Sequence, residues 1–129
     1  MRSLHVDDAE LVEELEYYVF PTDNMGAYLL ARELEAGGGY ILQAEGGRGY
    51  ILFRDCGIRD ILRIGVEEGA RGQGFGEMLL LTALIGIGDA MLTVRKWNKP
   101  ALRLYAKHGF RVIADDLSNS WVMRRLHPA

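Results

Sequence analysis

Cysteine and proline are scarce in this sequence. Its 129 residues include one cysteine, Cys56, and three prolines. A single cysteine excludes an internal disulfide and a cysteine-rich zinc site, and it is typical of a reducing compartment. The histidines His5, His108 and His127 have neither a cysteine nor a carboxylate at the spacing of metal ligands. We therefore expect no metal site.

Long hydrophobic runs and basic clusters are lacking as well. The longest apolar run is too short to span a bilayer, and the polar Arg2 and Ser3 follow Met1 without the apolar core of a signal peptide. The formal net charge is −3 and no basic cluster occurs, which argues against nucleic acid as the main partner. We expect a cytoplasmic protein that binds neither a membrane nor nucleic acid.

The rest of the composition is that of an ordinary globular protein. Hydrophobic residues make up 49% of the chain and charged residues 26%, which is typical of a chain with a packed core. A chain of this length is expected to form a single domain, here residues 1–129, and to bury about two-thirds of its extended surface.

The apolar periodicity predicts two helices followed by an antiparallel meander. A short strand is expected at Leu4 and Val6, then a helix, a polar loop at 21–24 and a second helix that ends at the glycines 37–39. The glutamates of the first helix are predicted to be mostly solvated: Glu10, Glu13, Glu14 and Glu16. The later segments are predicted strands at 40–44, 49–53 and 60–66, a helix at 73–87, a strand at 90–94, a helix from Asn98 and a hairpin of strands at 110–113 and 120–123.

A glycine-rich loop at 71–76 follows the strand at 60–66 and precedes an apolar run fit for a buried helix. Because glycine readily adopts positive φ, the backbone N–H groups of such a loop can point inward as a nest for an anion. The positive end of the helix dipole lies beside them. This order of elements predicts a site for a phosphate or pyrophosphate.

Three known phosphate-binding patterns can be compared with this loop. The P-loop requires a lysine and a serine or threonine after its last glycine, but Glu77 and Met78 stand there. The dinucleotide fingerprint requires Gly-x-Gly-x-x-Gly, whereas the glycines of this loop are Gly72, Gly74 and Gly76. The third pattern is Gln/Arg-x-x-Gly-x-Gly/Ala. Arg71, Gly74 and Gly76 match its three defined positions. A glycine loop that binds nothing is the remaining alternative.

A second pattern lies in the segment 98–110. Its positions are an asparagine, an alanine, a leucine–tyrosine pair and a glycine–phenylalanine pair, namely Asn98, Ala101, Leu104, Tyr105, Gly109 and Phe110. With both patterns in this order, the sequence resembles the GNAT superfamily of N-acetyltransferases. The resemblance implies an α/β fold with a mixed sheet: an antiparallel meander plus a splayed parallel strand pair at 60–66 and 90–95, with flanking helices.

The resemblance also implies a binding site for acetyl-CoA as co-substrate. The backbone of Ile64, Gly65 and Val66 is expected to bind the pantetheine arm like an added strand. The pyrophosphate loop is expected to comprise Arg71, Gly72, Gln73, Gly74, Phe75 and Gly76. Asn98 resembles the asparagine that contacts the coenzyme arm in the family, and a plain helix N-cap is the alternative and compatible role.

Catalytic roles follow from the resemblance for two residues. Tyr105 stands where family members commonly place a tyrosine beside the sulfur, so we expect it to protonate the departing thiolate; a core tyrosine is the alternative. Asp60 stands where some members carry a glutamate base, and a solvated aspartate at a hairpin end is the alternative. Glu67 and Glu68 are expected to face solvent, because carboxylates near the phosphate loop would repel the coenzyme.

The segment 92–98 resembles the branch that acetylates protein N-termini, such as the ribosomal-protein alanine acetyltransferases. Thr93 replaces the glutamate of that branch and cannot act as a base, which argues against a protein N-terminus as acceptor. The resemblance predicts an acetyl-CoA-dependent N-acetyltransferase whose acceptor is an amine of a small molecule or a protein. An acyl-CoA-binding module without catalysis and a nucleobase- or tRNA-modifying enzyme are the alternatives, and the protein is expected to be a monomer or a homodimer.

Overall fold

A computed structural model describes residues 1–20 and 26–126 of the chain. The predicted loop at 21–24 and His127 lie outside the described residues. The strands are β1 (Arg2–Ser3), β2 (Gly37–Ala44), β3 (Gly47–Asp55), β4 (Arg59–Val66), β5 (Ala90–Arg95), β6 (Arg111–Asp115) and β7 (Ser120–Arg125). The α-helices are α1 (Ala9–Val19), α2 (Ala27–Ala36), α3 (Phe75–Leu84) and α4 (Lys99–Lys107), and short 3₁₀ turns lie at Val6–Asp8 and Glu68–Ala70.

The strands form one sheet in the order β1-β2-β3-β4-β5-β7-β6. Strands β4 and β5 pair in parallel, and the other neighbours pair antiparallel. Helix α3 connects the parallel pair, as a parallel connection requires a crossover. The predicted mixed sheet, a meander that leads into a parallel pair, is confirmed.

The sheet has a hydrophobic core on each face. Successive side chains of a strand point to opposite faces, and Tyr50 and Ile51 of β3 accordingly belong to different clusters of buried residues. One cluster packs under α3, where Leu79 and Leu80 are completely buried. The other packs under α1 and α2 and includes Val12, Leu15 and Leu30. Full burial of each such leucine contributes about 1.5–3 kcal/mol.

The N-terminal strand lies earlier in the chain than its sequence predicts. Strand β1 comprises Arg2 and Ser3, whereas Leu4 is buried and its N–H donates to the carbonyl oxygen of Gly39 at 2.8 Å. Val6 begins a 3₁₀ turn. The prediction of a strand at Leu4 and Val6 was therefore wrong, because Leu4 fills the core as the chain turns away from the sheet.

The glycines 37–39 are strand residues as well as the end of a helix. Helix α2 does stop at Ala36, but the glycines then open β2 and pair with β3. A Cβ atom at Gly37 would lie 2.0 Å from the carbonyl oxygen of Phe53, and one at Gly39 would lie 2.4 Å from that of Ile51. Glycine is needed here because the two backbones approach more closely than a side chain allows.

Helix α3 is shorter than predicted. It comprises residues 75 to 84 rather than 73 to 87, since Gly74 at φ 80° and Gly86 at φ 70° adopt left-handed backbone that does not continue a helix. Ile85 has already left the helix with ψ 123°. Residues 71–74 of the glycine loop therefore precede α3, and Phe75 and Gly76 form its first helical turn.

Candidate active site

The two parallel strands separate partway along their length. They pair only over Arg59–Ile61 of β4 and Ala90–Leu92 of β5. Beyond these positions β4 continues to pair with β3, and β5 continues to pair with β7. The predicted splay is thus present, and it leaves an opening in the middle of the sheet.

A β-bulge lies in β4 at the start of this opening. Ile61 pairs with Phe53 and Arg63 pairs with Leu52, so Leu62 is an extra residue in the ladder. A bulge turns the strand locally and resets which side chains face each side. Leu52 belongs to the core under α1 and α2. Arg63 must therefore face that same side, although strict alternation from Ile61 would place it toward α3.

A cavity of about 560 Å³ occupies the opening between the two strands. On the side of α3 and α4 its walls include Ile64, Val94, Asn98 and Tyr105. On the side of α1 the lining comprises Val19, Phe20, Leu62, Arg63, Thr93 and Arg95. The connection between β6 and β7 adds Asp116 and Ser118, and the first residue of β7 adds Ser120. The cavity can therefore be reached by ligand groups from both faces of the sheet.

The glycine loop follows the end of β4 through the 3₁₀ turn. Gly72 and Gly74 have φ of 78° and 80°, and a Cβ atom at either glycine would meet nothing within 4 Å. The first helical bond of α3 joins the N–H of Met78 to the carbonyl oxygen of Gly74 at 3.0 Å. The N–H groups at the start of the helix precede that bond and have no helical partner. Open space beside these groups fits a phosphate.

Side chains of this loop bind the protein itself. Arg71 donates from Nε to the carbonyl oxygen of Val66 at 3.1 Å, and Gln73 donates from Nε2 to that of Gly69 at 3.1 Å. Phe75 is buried in the core under α3. In this conformation the loop offers an anion mainly backbone N–H groups, and Phe75 can contribute only through its backbone.

Two carboxylates near the loop are neutralised by basic partners. Glu77 accepts from Nζ of Lys107 at 2.9 Å and lies 2.9 Å from Nε2 of His108, and these contacts, Lys107 first, lower the pKa of the carboxyl group. Glu67 accepts from Nε and Nη2 of Arg48 at 2.9 and 3.0 Å. The prediction that Glu67 faces solvent was wrong because Arg48 of β3 holds it; Glu68 is exposed as predicted.

Asn98 and Tyr105 are positioned by helix α4. The side chain of Asn98 accepts a hydrogen bond from the N–H of Ala101 at 3.3 Å, so the predicted N-cap is confirmed. The ring of Tyr105 packs edge-on against Phe110, with centroids 5.9 Å apart. Burial raises the pKa of the Tyr105 hydroxyl to about 12. The phenol is therefore neutral at physiological pH and able to donate a proton.

The structure brings together some of the predicted site residues and separates others. Tyr105, Asn98 and Ile64 line one cavity. Asp60 lies before the opening, in the paired part of β4, and is not among the residues that line the cavity. Burial raises the pKa of Asp60. The positive charge of Arg54 lowers this pKa, and the negative charge of Glu33 raises it further, so the net shift is upward.

An ion pair beside the cavity was not predicted from the sequence. Glu16 of α1 is completely buried and lies 3.1 Å from Nε of Arg63. The guanidinium carbon of Arg63 lies 4.4 Å from the centre of the Phe20 ring. The prediction that Glu16 is solvated was wrong. The sequence did contain a signal for the burial of Glu16: it follows Val12 by four residues, and residues at this spacing share a helix face.

A second arginine lines the cavity from β5. Arg95 donates from Nη1 to the carbonyl oxygen of Ser118 at 3.0 Å and lies 3.5 Å from the hydroxyl of Ser120. Asp116 accepts from the N–H groups of Ser118 and Ser120 at 2.9 and 3.1 Å. These bonds hold the connection between β6 and β7 against the cavity.

Two further properties concern the described residues only. None of the helices in residues 1–20 and 26–126 is long and apolar enough to cross a membrane. Within the same ranges no three His, Cys, Asp or Glu side chains come together as a metal site would require.

Solved acetyltransferases have a similar fold. The ribosomal-protein-S18-alanine N-acetyltransferase from Escherichia coli matches with a TM-score of 0.85 at 18% identity, covering 99% of this chain and 93% of that one. The PaiA N-acetyltransferase from Thermoplasma acidophilum, solved in complex with coenzyme A, matches with a TM-score of 0.69 at 19% identity, covering 98% of this chain and 100% of that one. The fold is therefore that of the N-acetyltransferase class.

The chain belongs to the GNAT acetyltransferase family. The family model described as acetyltransferase (GNAT) domain matches residues 26–112. A mycothiol acetyltransferase of Mycobacteroides abscessus is 34% identical over 65 residues, which are 46% of this chain and 22% of the relative. The matches span between 20% and 31% of the length of the curated relatives. The resemblance seen in the sequence is confirmed.

Proposed function

We propose that this protein is an acetyl-CoA-dependent N-acetyltransferase that acetylates a primary amine by direct attack in a ternary complex. The observation that carries the proposal is the cavity through the splay of β4 and β5, with Tyr105 on one side and a polar wall on the other. Membership of the GNAT acetyltransferase family supports it. A structurally similar protein in complex with coenzyme A supports the choice of co-substrate.

The glycine loop and β4 would hold the coenzyme. Backbone N–H groups of residues 71–76 would bind the pyrophosphate, and the edge of β4 at 64–66, which no longer pairs with β5, would bind the pantetheine arm. Asn98 lines the cavity and would contact the arm in addition to capping α4. When bound, acetyl-CoA supplies an acetyl thioester, whose carbonyl carbon an amine can attack.

Tyr105 and Asp60 would handle protons. Burial raises the pKa of Tyr105 to about 12, so the hydroxyl is protonated at physiological pH. It would hydrogen-bond the sulfur as negative charge develops there and donate its proton as the C–S bond breaks. Asp60 would accept the proton of the acceptor ammonium. Since Asp60 does not line the cavity, this transfer would run through water.

Two measurements on the purified protein test the proposal. Calorimetry should detect coenzyme A binding, and a panel of primary amines with acetyl-CoA should contain acceptors that release free CoA above the rate of hydrolysis. Acylated amine, identified by mass spectrometry, should appear in equal amount. Binding without amine-dependent release would favour an acyl-CoA-binding module. Absence of coenzyme binding would overturn the proposal entirely.

A further inference from the structure

We infer that the acceptor is a small primary amine that carries a carboxylate, which Arg63 and Arg95 bind on the α1 side of the cavity. The inference rests on the proposed function and adds the chemical class of the substrate. Both arginines line the cavity, one from each of the strands that separate.

Arg63 is held in a fixed position at the cavity wall. The bulge at Leu62 turns it toward α1, where the buried carboxylate of Glu16 lies 3.1 Å from its Nε. Phe20 covers the guanidinium with its ring at 4.4 Å. An arginine fixed on both sides loses little conformational freedom when it binds an anion, and its planar donors match a carboxylate.

Arg95 also lines this cavity, and the groups that its side chain contacts are uncharged. Among the residues that the structure describes, its side chain contacts the carbonyl oxygen of Ser118 and the hydroxyl of Ser120. These contacts orient the guanidinium, and it forms no ion pair with a carboxylate of residues 1–20 and 26–126. A cation oriented in this way favours an anionic ligand.

The charges that line the cavity favour an acceptor with one anionic group. Arg63 and Arg95 are its basic residues and Asp116 its acidic residue. Glu16 balances the charge of Arg63, and the N–H groups of Ser118 and Ser120 hold a carboxylate oxygen of Asp116. The guanidinium of Arg95 therefore supplies the positive charge that favours an anion over a second cation. A polyamine would bring a second positive charge toward the arginines, whereas an amino acid would bring its carboxylate.

The dimensions favour a small acceptor. The cavity of about 560 Å³ must hold the thioester end of the coenzyme as well as the acceptor, and small-molecule sites are typically of this order. Thr93 and Leu62 line the cavity together with the two arginines, so the carboxylate can stay at the arginines while the amine points to the thioester.

Matched acceptor pairs test this inference. Free amino acids are compared with their carboxamides, which keep the amine and remove the anionic charge, and with spermidine. The best carboxylate acceptor should exceed its carboxamide in kcat/KM by roughly 10- to 100-fold, as charge-assisted hydrogen bonds imply. A carboxamide or spermidine as the preferred acceptor would overturn the inference and leave the proposed function standing.

Variants of the two arginines locate the effect. Arg95→Gln removes the charge of an exposed side chain, and it should raise KM for the carboxylate acceptor by roughly tenfold while leaving the carboxamide unchanged. Arg63→Lys keeps the charge opposite Glu16 but loses the planar donors, so it should reduce the same preference. Arg111→Gln changes an exposed arginine on β6 outside the cavity lining and should change nothing. Equal preference for the carboxylate in all three variants would overturn the inference.

A binding measurement separates the two proposals when no acceptor is turned over. Calorimetry of amino acids and carboxamides into the protein–CoA complex should show binding of the carboxylate that Arg95→Gln weakens. Coenzyme binding together with no preference for the carboxylate would overturn the inference alone. Failure to bind coenzyme A would overturn the proposed function itself.

Discussion

At the scale of single residues, surroundings decide what each charged or polar group can do. Glu16 resembles its solvated neighbours in sequence, yet it is completely buried and paired with Arg63. Removing one partner of such a pair would leave an uncompensated charge, which typically costs 3–5 kcal/mol, so ~3 kcal/mol or more is expected for Arg63→Met. Conservative changes at this pair are therefore the informative ones.

Tyr105→Phe should lower turnover by roughly 10- to 1,000-fold, near the usual range for general acid catalysis. The change removes the hydroxyl that lines the cavity and keeps the ring that packs against Phe110, so coenzyme affinity should stay the same. Steady-state kinetics and calorimetry measure the two effects. Tyr40→Phe is the matched control, because Tyr40 is also a half-buried tyrosine against a phenylalanine ring but lies outside the cavity lining. Full activity of Tyr105→Phe would leave that residue a packing role only.

Asp60→Asn should lower the rate most at low pH and recover partly at high pH, where more of the acceptor amine is already neutral. Burial raises the pKa of Asp60, so the carboxyl group stays protonated to a higher pH than an ordinary aspartate. The wild-type rate should therefore fall as the pH drops through this raised pKa, since the base must be ionised to accept a proton. A pH–rate series of both proteins measures the difference. A loss independent of pH would indicate a structural role for Asp60.

At the scale of elements, the bulge in β4 and the glycine loop shape the site. Leu62 and Arg63 face the same side of the sheet because the ladder contains one extra residue. A regular strand would have turned Arg63 into the core under α3. The loop beyond β4 places its glycines in left-handed backbone and leaves open space beside them.

Gly74→Glu should abolish coenzyme A binding, because a side chain and a negative charge would enter the proposed phosphate site. Gly86→Glu is the matched control: both glycines have positive φ, at 80° and 70°, and open space around a Cβ atom. Both variants should lose similar stability, on the order of 1–3 kcal/mol for a strained non-glycine residue. Calorimetry and thermal unfolding should then separate binding from stability. Coenzyme affinity that is unchanged in Gly74→Glu, or lost equally in both variants, would remove this loop from the binding site.

At the scale of the whole molecule, one sheet with a core on each face supports a site that crosses it. Helices α3 and α4 pack on the face where the coenzyme is proposed to bind, and α1 packs on the face that contains Arg63. The opening exists because β4 and β5 each keep one neighbour, β3 and β7, after they separate from each other.

The protein should not bind tRNA or duplex DNA at physiological ionic strength. The formal net charge is −3, and nucleic-acid affinity depends on neutralising phosphates with clustered basic residues. Electrophoretic mobility shift or fluorescence anisotropy over a salt series measures this. Tight binding that weakens steeply with added salt would contradict the prediction and revive the alternative of a tRNA-modifying enzyme.

The sequence by itself determined the family, the mixed sheet and the position of the glycine loop. These follow from contiguous signals: strand, glycines and helix in order, and the pattern that ends with Tyr105, Gly109 and Phe110. The N-cap at Asn98 is local for the same reason, since its partner lies three residues away at Ala101. Local steric and hydrogen-bond preferences act over such distances without help from the rest of the chain.

Only the tertiary structure decided which side chains meet at the cavity. Glu16 and Arg63 are far apart in the chain, and their pairing depends on how α1 packs on the sheet and on one extra residue in β4. The glycines 37–39 likewise open a strand because β3 lies against them. Contacts between distant segments depend on register and packing, and a one-residue change in register turns a side chain to the opposite face of a sheet.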